Sequence, residues 1–203
     1  MKSIKESIKQ TIEIKRSLFH TFLFPVNDLE TIQNHLNILR NQYGDASHHC
    51  TAYILGDHQE IQKYDDDGEP SGTAGLPILE VLKKHELTNV LCVVIRYYGG
   101  IKLGAGGLVR AYTKGVSDAL KTTVFTYLET VVHFEIHATF NLGGKLETLI
   151  REETEFIEAL YLDHIVFKAE IKSSDYNAFC IKLSDVSHGQ LKPEVTYEYK
   201  RYV

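Results

Sequence analysis

The chain has 203 residues, 43% apolar and 24% charged, a globular balance that fits one large domain or two small ones. A net charge of −5 does not by itself indicate a nucleic-acid-binding protein, and no apolar run reaches the roughly 18 residues of a membrane span. Cys50, Cys92 and Cys180 are odd in number and form no Cys-x-x-Cys, so reduced thiols and a cytoplasmic setting are expected. The first ten residues lack a continuous apolar core, and no secretory signal is expected. Acidic and basic residues balance over 1–122, so the whole −5 falls on 123–203. Any polyanion site is therefore a local patch on the first half.

In chain order, Thr11 to Val26 alternates and predicts a strand. Leu29, Ile32, Leu36, Leu39 and Tyr43 step by three or four, predicting an amphipathic helix. Asn27 or Asp28 is its expected cap and Gly44-Asp45 its end. Residues 49–55 and 59–64 read as a hairpin about Gly56-Asp57. An acidic, turn-rich stretch from Asp65 to Gly75 follows, then a helix from about Pro77 to His85. A buried-type strand over 90–97, a glycine-rich loop and a helix over 105–121 complete the first half. The second half reads strand (123–140), helix (142–153), strands 156–162 and 165–171 joined at Asp163-His164, helix opened by Ser173 or Ser174, and strand 190–202. That β-α-β-β-α-β order is the ferredoxin-like one. The expected architecture is α+β in two domains, 1–124 and 125–203.

Three strings carry candidate chemistry. The first runs Arg96-Tyr-Tyr-Gly-Gly-Ile-Lys-Leu-Gly-Ala-Gly-Gly-Leu-Val-Arg-Ala-Tyr112. Glycines between strand and helix expose backbone N–H groups to an anion, and Arg96, Lys102 and Arg110 flank them. Two nucleotide fingerprints are excluded. Ala105 follows Gly104 where a Walker A loop needs lysine, and Val109 stands where a dinucleotide fingerprint needs its third glycine. Anion contact through Arg96, Lys102, Arg110 and the N–H groups of Gly104, Gly106 and Gly107 stands beside close packing of the loop as its reading. The second string, Asp65 to Gly75, has carboxylates at 65, 67 and 69, but Leu76 at the twelfth position excludes an EF-hand. Asx-turn chemistry at Asp66 or Asp67, and capping of the next helix by Ser71 and Thr73, are its expected roles. The third is Asp45-Ala-Ser-His-His-Cys-Thr-Ala-Tyr53. On a strand, His48 and His49 face opposite ways and do not share one metal, so neither a metal nor a cofactor is assigned.

In order and spacing, these strings resemble the IMPACT family and its bacterial YigZ-type members. The resemblance implies an N-terminal ribosomal-S5-domain-2-like domain and a C-terminal ferredoxin-like one, both similar to domains of translation elongation factors. It also implies a regulatory link to translation, which eukaryotic members exert by competing for a partner of a stress kinase, and it points to the ribosome, structured RNA or a translation-associated protein as partner. Leu18 stands where the family commonly has arginine, and Asp65 replaces a small polar residue. The leading expectation is a cytoplasmic, non-enzymatic regulator that binds RNA or the ribosome. The alternative is a hydrolase or phosphoryl-transfer enzyme using His48, His49, Asp66, Asp67 and Glu69 beside the glycine loop.

Overall fold

The structure, a computed structural model, describes all residues from Met1 to Val203. They form two compact units, Met1–Tyr127 and Leu128–Val203.

The first unit contains β1 (Lys2–Ile4), β2 (Ile8–Ile14), β3 (Ser17–Pro25), α1 (Leu29–Gln42), β4 (His48–Leu55), β5 (Ile61–Asp65), α2 (Gly75–Lys84), β6 (Val90–Tyr97) and α3 (Ala105–Leu120). Its main sheet runs β2-β3-β6-β4-β5, with every pair antiparallel. Central β6 is buried on both faces, which explains its unbroken apolar run. Val90, Cys92 and Val94 pack with Ile78 and Leu82 of α2 and with Tyr112 and Val116 of α3. Leu91, Val93 and Ile95 pack with Ile32 and Leu39 of α1. Asp28 caps α1, its carboxylate accepting the Thr31 N–H at 2.7 Å.

The segment from Thr11 to Val26 is a hairpin, not a single strand, and it turns at Lys15 and Arg16, whose φ values are 48° and 65°. Alternation carries on through a two-residue turn in register, so its period does not reveal the reversal. No glycine or asparagine marks it, because two L-residues accept the left-handed conformation there.

Strand β7 (Phe125–Ala138) contributes Phe125, Thr126 and Tyr127 to the first unit, where they pair with β1. The second unit continues with α4 (Phe140–Glu153), β8 (Glu155–Tyr161), β9 (Ile165–Lys172), α5 (Ser173–Val186) and β10 (Glu194–Tyr202). Its strands order as β10-β7-β9-β8, all antiparallel. This order with β-α-β-β-α-β connectivity is the ferredoxin-like fold. Val132, Phe134 and Ile136 alternate inward and meet Leu146, Ile150, Phe179 and Leu183 from the two helices. Neither Ser173 nor Ser174 caps α5. Lys172 occupies the cap position with no side-chain cap bond. The last strand starts at Glu194 rather than 190, just after Pro193, which has no N–H for a ladder.

Candidate functional site

The loop between β5 and α2 is built from its own carboxylates. Asp66 accepts backbone N–H bonds from Gly72 at 2.8 Å, Ala74 at 3.0 Å and Gly75 at 2.8 Å. Asp66 thereby caps α2 from eight residues upstream, and Ser71 and Thr73 do not. The Thr73 hydroxyl instead donates to the Pro70 carbonyl at 2.6 Å. The Asx-turn belongs to Asp65, which accepts the Asp67 N–H at 2.9 Å. Asp67 reaches back to β4. Its Oδ2 accepts the His49 N–H at 2.6 Å, and its carbonyl accepts from His48 Nδ1 at 2.8 Å. A carbonyl only accepts, so Nδ1 of His48 carries the proton and Nε2 is left facing Glu69 Oε2 at 3.9 Å.

Glu69 is the centre of the cluster. Its Oε1 accepts from Arg96 Nη1 at 2.6 Å and from the Tyr112 hydroxyl at 2.8 Å. Cys50 Sγ lies 3.3 Å from that hydroxyl and 3.0 Å from the Asp66 carbonyl oxygen. Burial pushes the Cys50 thiol and the Tyr112 phenol well above their ordinary ranges, so Cys50 stays a thiol and carries no nucleophilic thiolate. His49 points to the α1 side, and its own burial lowers its pKa despite Asp67 3.9 Å away. The structure therefore gathers His48, Asp66, Asp67 and Glu69, with His49 facing the other way. The three carboxylates already serve backbone N–H groups, a guanidinium or a phenol. The arrangement holds the loop shut against β4, β6 and α3.

Arg96 is corrected as an anion contact. It is 4% exposed, paired with Glu69, and lies between the rings of Phe19 and Tyr98 at 5.4 and 5.5 Å. The remaining residues of the glycine string do form a surface. Gly104 begins α3 with φ 69° and has no side chain to cap it, and the first helical bond runs from Leu108 N–H to the Gly104 carbonyl at 2.9 Å. The N–H groups of Ala105, Gly106 and Gly107 therefore lack intrahelical acceptors, and the first turn carries no acidic residue. Lys102, Gly104, Gly106 and Arg110 are exposed, and Gly107 is half-buried. The Arg110 guanidinium folds back over Gly106, where an added Cβ would lie 3.6 Å from Nη1.

The turn that carries Lys15 and Arg16 lies against the first glycine of the string. A Cβ on Gly99 would lie 2.1 Å from the Arg16 carbonyl carbon and oxygen, and the Gly99 N–H bonds Ser17 Oγ at 3.1 Å. The exposed Lys15-Arg16 turn thus abuts the glycine loop. Adjacent cations at a period-preserving break were the only sequence signal for it.

The Impact N-terminal domain model matches residues 15–120, just over half of the chain. The IMPACT family member YvyE of Bacillus subtilis is 37% identical over 199 residues, covering 96% of this chain and 92% of that protein. The chain belongs to the IMPACT family. YigZ of Escherichia coli, another member, is 33% identical over 183 residues and covers 89% of this chain and 90% of its own length. A crystal structure of a hypothetical protein superposes with a TM-score of 0.62 at 30% identity, covering 97% of each chain. In this IMPACT family member the three signature strings meet at one place. Asp66–Glu69 comes from the acidic loop, His48 and Cys50 from β4, and Arg96 and Tyr112 from β6 and α3. No helix is long and apolar enough to cross a membrane.

Proposed function

We propose that this protein is a regulator linked to translation that binds structured RNA, on the ribosome or alone, through the end of its N-terminal unit. The observation that carries this reading is exposed Lys102 and Arg110 at the uncapped start of α3, with the exposed Lys15-Arg16 turn set against Gly99 of the same loop, in a chain whose overall charge is negative. Long cations around free N–H groups suit phosphate oxygens, and half-exposed Tyr98 offers a ring beside them for a base. Family membership supports the link to translation. The buried cluster behind the loop supplies rigidity: it fixes β6 and α3, between which the glycine loop is strung.

The test is co-sedimentation with ribosomes, together with filter binding to ribosomal RNA, over a salt series. Wild type binds at low salt and loses affinity steeply as salt rises. Lys102→Glu/Arg110→Glu and Lys15→Glu/Arg16→Glu each weaken binding, and each flattens the log–log salt slope by roughly 1 to 2. Failure of the wild type to bind at low salt overturns the reading. Binding unchanged in both double variants removes this surface from it.

A further inference from the structure

We infer that His137 and His164 form a site for a divalent transition-metal ion on the second unit. His137 stands on β7 opposite Val166 of β9, and His164 lies in the turn that leads into β9. The Leu162 N–H donates to the His164 carbonyl at 2.8 Å and pins that turn. His137 Nδ1 and His164 Nε2 come within 3.0 Å of each other. Both side chains are open to solvent, 43% and 36% exposed.

The outer nitrogen of each ring faces a carboxylate. His164 Nδ1 lies 2.7 Å from Asp163 Oδ1, and His137 Nε2 lies 3.7 Å from Glu135 Oε2. An ionised carboxylate only accepts, so Nδ1 of His164 holds the ring proton and the inner Nε2 presents a lone pair. A proton on the inner Nδ1 of His137 bonds the two rings to each other. A proton on its Nε2, turned toward Glu135, leaves two lone pairs aimed at one point, and a cation there satisfies both. Two imidazole nitrogens bound to one metal at about 2.0–2.1 Å stand about 2.9 Å apart at a right angle and about 3.3 Å apart at a tetrahedral one. The observed 3.0 Å falls between these spans. Carboxylates behind the rings orient histidine ligands and raise their basicity. Imidazole donors select zinc, nickel or copper over magnesium or calcium. The surroundings favour a cation, because Glu135 and Asp163 flank the pair while Lys168 is held between Glu135 at 3.9 Å and Glu158 at 2.8 Å. No third histidine, cysteine or carboxylate completes the set, so water takes the remaining positions and the site stays open.

Isothermal titration calorimetry of the full chain with zinc tests this, alongside NMR of the histidine ring nitrogens. Wild type binds a single zinc ion in the micromolar range, and the ring signals of His137 and His164 shift together. His137→Gln and His164→Gln each weaken binding about tenfold or more, and Asp163→Asn, which leaves both ligands in place, weakens it roughly threefold. All three are surface changes, and the metal-free melting temperature of each variant matches wild type. Wild type that takes up no zinc at submillimolar concentration overturns the inference. So does zinc affinity unchanged in both histidine variants, since the ion then sits on other groups such as the half-buried Cys180 thiol. Displacement of the zinc by a modest excess of magnesium also overturns it, because imidazole ligation excludes that exchange.

Discussion

Glu69 and Arg96 form an ion pair whose side chains are 4% and 5% exposed, and the Tyr112 hydroxyl shares the same carboxylate oxygen. Removing one partner of such a pair leaves a charge stranded away from water, which costs more than the pair contributes. Glu69→Ala is therefore expected to destabilise the N-terminal unit by about 3–5 kcal/mol in urea unfolding. A Glu69→Leu/Arg96→Met double variant is expected to lose less than Glu69→Ala, because no charge remains buried. A double variant at least as unstable as Glu69→Ala refutes this account of the cluster. At this scale the sequence showed which residues matter and misread what some of them do. Arg96 looked like a phosphate contact because cations beside glycines often are. It faces inward because it sits on the same face of β6 as Cys92 and Val94, opposite His48 in register. Residue type alone does not report facing at the end of a strand buried on both sides.

The glycine loop separates two uses of glycine at the scale of an element. Gly99 has no room for a Cβ, which would overlap the Arg16 backbone at 2.1 Å. Gly104 has open space but needs φ 69°. Gly99→Ala forces the β2–β3 turn away and is expected to cost about 1–3 kcal/mol, while Gly104→Ala meets only backbone strain of about 1 kcal/mol. Thermal unfolding ranks the two, and the reverse order contradicts the packing argument. Gly99→Ala is also expected to weaken RNA binding more than Gly104→Ala, since it displaces Lys15 and Arg16. Most elements were legible from period. The helices over 29–42, 75–84 and 105–120 and the strand over 90–97 lie close to where the pattern put them. The Lys15-Arg16 turn and the capping of α2 by Asp66 were not, for one is invisible to a period of two and the other bridges eight residues of loop.

Over the whole molecule, the two units build their cores from different stretches of chain: two clusters on the faces of the first unit's sheet and a further one in the second unit. The second unit's core is centred on Phe134, Phe167 and Phe179 and shares no residue with the clusters of the first unit. Phe134 is fully buried and meets Phe179 with ring centroids 5.2 Å apart. Phe134→Ala is expected to cost the second unit about 3–5 kcal/mol and to speed amide exchange in β9 and α5. Exchange in β6, between α1 on one face and α2 and α3 on the other, is expected to stay slow. Equal acceleration in both units refutes independent cores. The sequence by itself determined the two-part α+β plan, the helices, the ferredoxin-like order of the second unit and the family. Hydrophobic period and motif spacing are local properties, and a chain carries them openly. Only the tertiary structure decided that Arg96 belongs to the interior, that the Lys15-Arg16 turn lies against Gly99 of the glycine loop, and that α2 and α3 leave an apolar groove between them. Those facts depend on which way a strand faces and on what lies next to it through space, and both are fixed when the sheet closes over its helices.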